Sequence, residues 1–159
     1  MKALTVELDL LQSNEWTPKE QENVALVTDF VQHLMNEHDF EYIDRQFGHH
    51  NYTQHNRNMN DTIAGVVEMV SGLVKRFPDY TYDVKHIHAD GDYVMFHSHV
   101  TMNKTDRGND KKGFNIMDTW KIQGGQIVEH WDAIQALDRS MRFFVFMNGG
   151  KIRNDNGVF

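Results

Sequence analysis

The hydrophobic period of this chain changes once, at Pro78, and that change sets the fold class. Before it, apolar residues recur at helical spacing. Thr17-Pro18-Lys19-Glu20 is a capping box with proline at the first helical position. The helix it opens carries Val24, Val27, Phe30, Val31, Leu34 and Met35 on one stripe. A short helix is expected over Asp39–Phe47, ending at Gly48 with Phe40, Ile43 and Phe47 inward. A third opens near Asp61, shows Ile63, Val66, Val67, Val70, Leu73, Val74 and Phe77, and stops at Pro78. After Pro78 the period is two. Tyr80–His88 and Tyr93–Met102 read as strands around Asp90-Gly91. Phe114–Ile122 and Ile127–Gln135 read as a second hairpin around Gly124-Gly125. A short strand around Asn51–His55 precedes the third helix. Helices first, then a run of antiparallel strands, is the α+β pattern: a curved, mainly antiparallel sheet wrapped on about three N-terminal helices, with a cavity between the layers.

The 159 residues suit one domain, 1–159, that can bury a real core. Its core is expected over about 18–138, with an extended arm at 1–15 and a tail at 139–159. The net charge of −7 argues against nucleic acid or an anionic membrane surface as partner. The chain has no cysteine, which removes disulfides, thiolate metal sites and a thiol nucleophile. The acid-broken start, Met1–Leu10, lacks a signal-peptide core, and no apolar run is long enough to span a bilayer. A cytoplasmic protein is the expectation. Ten histidines are the compositional oddity.

Asp118 is the residue that points furthest toward function. Phe114, Ile116, Asp118, Trp120 and Ile122 share one strand face. Four are large and apolar, so the carboxylate among them must be paired, protonated or lining a pocket. Burial would raise its pKa, which makes a carboxyl group a usable acid or base; a core aspartate satisfied by backbone N–H groups or a histidine is the structural alternative. With Gly124-Gly125 as the loop, Gln123 pairs with Gln126 and Ile122 with Ile127. An unbroken ladder then sets Asp118 opposite Trp131, and turns His130 and Asp132 to the other face. One bulge between Val128 and Asp132 would reverse that.

The Asp90-Gly91 hairpin pairs His88 with Tyr93, His86 with Met95, Val84 with His97 and Tyr82 with His99. His86, His88, His97 and His99 then share a face, opposite Val94, Phe96, Val100 and Met102. They form either a half-exposed surface row, the better reading for His86 and His88, or, through His97 and His99, hydrogen-bonding groups that reach a cavity. Tyr52-Thr53-Gln54-His55-Asn56 is a second polar cluster of good pocket liners. No spacing matches a metal signature, so no metal is expected. There is no phosphate-cradling loop and no nucleophile elbow.

These segments together resemble the SnoaL-like polyketide cyclase family, within the nuclear-transport-factor-2-like superfamily. The resemblance rests on Tyr52–Asn56, His97-Ser98-His99 and Asp118–Asp132, above all Val128-Glu129-His130-Trp131-Asp132 after a Gly turn, and covers roughly residues 18–138. It implies a cone-shaped α+β barrel, usually a homodimer through the sheet, and a blind apolar pocket for a small apolar or carbonyl-containing molecule. It further implies cofactor-independent aldol-type cyclase, isomerase or lyase chemistry with a pocket carboxylate as acid/base; the alternative is a non-catalytic small-molecule-binding protein of the same fold. On this chain the catalytic candidates are Asp118, His99 and His55, and the substrate-binding candidates are Tyr52, Gln54, His97, Trp131, Trp120, His130 and Asp132. Arg57 departs from the pattern, since relatives often carry proline after the asparagine.

Overall fold

The computed structural model describes residues 3–157. The elements run α1 (Leu8–Leu11), α2 (Pro18–Val31), a π-helical turn (Gln32–Glu37), α3 (Phe40–Phe47), β1 (Thr53–Gln54), α4 (Thr62–Arg76), β2 (Thr81–Asp90), β3 (Tyr93–Thr101), a 3-10 turn (Lys104–Asp106), β4 (Phe114–Gln123), β5 (Gln126–Ala136) and α5 (Arg139–Asn148). The chain is therefore α+β, with its helices packed on one open, mixed sheet of order β1-β5-β4-β3-β2. β1 runs parallel to β5; every other pairing is antiparallel. The N-terminal segment is not wholly extended, because Leu8–Leu11 closes a helical turn. No helix among the described residues is long and apolar enough to cross a membrane.

The local sequence explains the boundaries. Thr17 and Glu20 close a reciprocal capping box on α2. Asp39, Asp61 and Asp138 cap α3, α4 and α5 through side-chain oxygens. Val24, Val27, Phe30, Val31, Leu34 and Met35 are all buried, as their stripe demands. They meet the inner face of the sheet, where Val94, Phe96 and Val100 of β3 and Phe114, Ile116, Trp120 and Ile122 of β4 complete the core. Gly124 and Gly125 both take positive φ, 59° and 74°, as a two-residue primed turn requires.

Two bulges decide which side chains share the inner face. In the β4–β5 ladder Gln123 pairs with Gln126 and Ile122 with Ile127, but Lys121 then pairs with Glu129. Val128 is the extra residue. Every later residue of β5 is shifted by one, so Asp118 faces Asp132, Trp120 faces His130 and Thr119 faces Trp131. The unbroken register that set Asp118 opposite Trp131 is corrected accordingly. In the first hairpin Asp90 pairs with Tyr93, so Gly91-Asp92 forms the loop and His88 pairs with Met95, His86 with His97. That two-residue slip preserves the faces of His86 and His88. A second bulge, at Lys85, then pairs Val84 with Ser98 and Tyr82 with Val100 and turns Tyr82 and Val84 into the core rather than onto the histidine face.

Candidate active site

Between the sheet and the helices lies a cavity of about 490 Å³. Its lining is mainly apolar and aromatic, drawn from α2, α4, β2, β3, β4 and α5. That volume falls within the usual range for a small-molecule site, roughly 300–1,000 Å³. Polar groups reach it from one side, where β5 lies between β1 and β4.

Asp118 projects from the middle of β4 and is 2% exposed. Its Oδ1 lies 3.1 Å from His130 Nε2, and its Oδ2 is buried with no hydrogen-bond partner. Burial pushes the carboxyl above the ordinary carboxylate range; contact with His130 opposes this, and Asp132 across the ladder adds to it.

His130 is held on its other side by Gln54. The Gln54 Oε1 accepts the Asn56 backbone N–H at 2.9 Å and lies 3.0 Å from His130 Nδ1. A backbone donor fixes which end of the amide is oxygen, so His130 Nδ1 must carry hydrogen to complete its bond. The 3.1 Å contact to Asp118 then needs one further proton. That proton sits either on Nε2, facing a carboxylate, or on Asp118, facing a bare nitrogen. Asp118 and His130 thus share a single proton in a buried pair.

Gln54 is itself pinned. Its backbone N–H donates to Asp61 Oδ1 at 2.8 Å, and its Nε2 donates to Tyr52 Oη at 3.3 Å. Tyr52, Tyr80 and Tyr82 all line the cavity. Burial raises each hydroxyl above the ordinary tyrosine range, and the nearby carboxylates add to the effect. The three are therefore neutral O–H groups. Because Tyr52 Oη accepts from Gln54, its own hydrogen is free for a ligand.

Asp132, half-buried on the same wall, accepts from Asn56 Nδ2 at 2.5 Å. Ligand atoms of Asp118, His130 and Asp132 lie within 4.8 Å of one another, so this trio has the donor set for a divalent cation. A metal on His130 Nε2 would have to displace the proton shared with Asp118.

The structure thus brings together Asp118, His130, Asp132, Gln54, Tyr52 and Trp120. It does not bring the remaining sequence candidates to them. His99 lies on the outer face, its Nε2 2.8 Å from the Lys112 carbonyl oxygen. His97 is also outward, between His86 Nδ1 at 2.9 Å and Asn115 Oδ1 at 2.5 Å. Trp131 is outward as well, stacked on His55 with ring centroids 4.6 Å apart. His55 borders the rim of the cavity, but its Nε2 faces Glu129 at 3.4 Å. Tyr80 and Tyr82 were absent from the sequence candidates. The strand period alone could not have found Tyr82, because the Lys85 bulge reverses it.

A family model described as the SnoaL-like domain matches residues 27–130, more than half of the chain. The chain belongs to the SnoaL-like family. Solved structures agree in fold. AclR, "a putative hydroxylase" from Streptomyces galilaeus, is 23% identical with a TM-score of 0.59, covering 82% of this chain and 97% of its own. A "putative polyketide cyclase" from Bacillus cereus ATCC 10987 is 17% identical with a TM-score of 0.62, covering 89% and 97%. A "putative SnoaL-like polyketide cyclase" from Jannaschia sp. CCS1 is 12% identical with a TM-score of 0.62, covering 91% and 100%. At such identities the SnoaL-like likeness carries the architecture, not the reaction. No curated protein matches the sequence.

Proposed function

We propose that this SnoaL-like protein is an acid/base enzyme acting next to a carbonyl group, without a cofactor, on a small apolar molecule. The observation that carries the reading is Asp118: one carboxylate oxygen bound to His130 and the other unpartnered and buried at the wall of an apolar cavity. In the state with the shared proton on His130 Nε2, Asp118 is a carboxylate. Its Oδ2 removes a proton from the carbon beside the carbonyl, and the C–H electron pair passes to the carbonyl oxygen as an enolate. A neutral tyrosine hydroxyl, Tyr52 or Tyr82, hydrogen-bonds that oxygen. This role falls to them rather than to His99 or His55, which face elsewhere. Asp118 then returns the proton at another atom, the isomerase outcome, or to the oxygen formed when the enolate attacks a second carbonyl, the aldol outcome.

Exchange of ketone α-protons for deuterium isolates the first step from the identity of the natural substrate. With 2-tetralone in D₂O followed by NMR, the wild type should exceed buffer. Asp118→Asn should lose about 10²–10⁴-fold of that enhancement, while His99→Gln should change it less than about twofold. An unchanged rate in Asp118→Asn would falsify the assignment. Ligand binding without turnover is the second reading; the apolar cavity lining favours it, and wild-type exchange no faster than buffer would select it.

We also infer a cytoplasmic homodimer. The outer sheet face and the ridge of Phe143, Phe146 and Met147 on α5, each more than 60% exposed, are the surfaces a second copy would cover. Sedimentation equilibrium showing a monomer at all concentrations would rule the dimer out.

A further inference from the structure

The rim of the cavity carries two arginines that the acid/base pair leaves unexplained. Arg57 follows β1 in the loop Asn56–Met59, and Arg153 follows α5; both side chains are exposed and both line the cavity. They come from opposite ends of the fold, yet the structure ties them together. The Arg153 backbone N–H donates to the Arg57 carbonyl oxygen at 2.8 Å. One residue on, the Asn154 amide donates to the carbonyl oxygens of Asn56 and Met59 at 2.9 and 3.1 Å. Asn156 Nδ2 donates to the Gln54 carbonyl oxygen at 2.7 Å. The tail is thus stitched along the loop, and the stitching sets the Arg57 and Arg153 backbones side by side on the rim.

Neither guanidinium makes an ion pair or a side-chain hydrogen bond among the described residues. In a chain with 23 acidic and 16 basic residues, carboxylates to pair with them are plentiful. The lining carboxylates, Asp118 and Asp132, are engaged by His130 and Asn56 instead. Two cations on one rim, without a counter-charge among the described residues, favour an anion between them, which can accept up to two forked sets of N–H bonds.

We propose that Arg57 and Arg153 form an anion-binding rim, and that the substrate is an apolar, carbonyl-containing molecule with a carboxylate at one end. The apolar body fills the cavity with its carbonyl near Asp118, while the carboxylate stays at the mouth between the two guanidinium groups. The proposal rests on reading the cavity as the substrate site, and adds the chemical class of what enters it.

The test is a binding measurement rather than an activity. The probes are 4-oxo-4-phenylbutanoate, an aryl ketone ending in a carboxylate, and 4-oxo-4-phenylbutanamide, its neutral counterpart. Calorimetric titration of the wild type should show the acid binding about tenfold or more tightly than the amide, the scale of one or two charge-assisted hydrogen bonds. Arg57→Gln and Arg153→Gln should each weaken the acid and leave the amide unchanged, and the double variant should lose the preference. Arg57→Lys with Arg153→Lys should keep most of it, since the charge remains. Equal binding of acid and amide by the wild type, a preference that survives in the double glutamine variant, or no binding of the acid overturns the proposal. Asp118→Asn should retain the preference for the acid while losing α-proton exchange. Failure of the acid/base reading and failure of the anion rim are therefore separately visible.

Discussion

The two faces of the same sheet use histidine in opposite ways. On the inner face His130 is 6% exposed, both ring nitrogens are engaged, and its partners Gln54 and Asp118 are themselves buried. On the outer face His86 and His97 touch at 2.9 Å, and the chain of contacts runs on through Asn115 to Gln135. Within one protomer that ladder is open at its edges, with His86 and Gln135 exposed. In the single chain, water can replace these exposed members, so their geometry carries little free energy. The inner trio has no such substitute. Its low-dielectric surroundings make each proton position matter, which is what an acid/base site needs. The difference comes from strand parity, which for His130 is set by the single bulge residue Val128.

Inserting one alanine between Glu129 and His130 is the most drastic way to break the contrast. With the Val128 bulge and the Lys121–Glu129 pair kept, every residue from His130 onward shifts by one, so His130 and Asp132 turn outward and Trp131 turns into the core. We expect loss of cooperative melting or of all α-proton exchange; a variant that keeps both would refute the parity given to the site.

Trp120 and Trp131 sharpen it next. Trp120 is 1% exposed and packs edge-on against Phe96, with centroids 5.3 Å apart. Trp120→Ala should cost about 3–5 kcal/mol in chemical denaturation. Trp131→Ala on the outer face loses chiefly its stack on His55 and should cost roughly 0.5–1.5 kcal/mol plus a modest area term. Similar costs for the two would contradict the assignment of faces.

The pH dependence of Asp118 gives the smallest effect. Burial raises its pKa in the fold above the ordinary value of 3.8, with His130 opposing and Asp132 reinforcing. The stability linked to this carboxyl is therefore complete below that ordinary value and is lost as pH rises through the raised folded value. Asp118→Asn carries a neutral amide at every pH. It should melt at or above the wild-type temperature at pH 7, and the gap should close as pH falls toward 4. A fall of several degrees at pH 7, about 1 kcal/mol or more for a domain of this size, would mark Asp118 as a structural acid.

Much of the fold was legible because each local signal agreed with the next. The Thr17 capping box, the α2 stripe, the stop at Pro78 and the two Gly-containing turns all act within a few residues. Asp118 was legible for the same reason: a carboxylate in an apolar row needs no knowledge of its partners. Its partners were not, because they depend on register. Val128 and Lys85 look like ordinary strand residues, yet each inserts one position and reverses everything beyond it. Hence the strand register set Trp131 on the pocket wall and turned His130 away, so that His130 and Asp132 stood as candidates through the family resemblance alone, and Tyr82 was passed over. The proximity of Arg57 and Arg153 was illegible for a different reason, since residues 96 positions apart in the chain meet through the tail's hydrogen bonds, from the Arg153 backbone and the Asn154 and Asn156 side chains.

The central claim is that Asp118 and His130 hold one proton between them, with the imidazole fixed by Gln54. Nitrogen-15 NMR of the histidine side chains measures this directly. At neutral pH His130 should show hydrogen on Nδ1, and an Nε2 signal that moves when Asp118 is replaced by asparagine. A bare Nδ1, or an Nε2 signal indifferent to Asp118→Asn, would contradict the account.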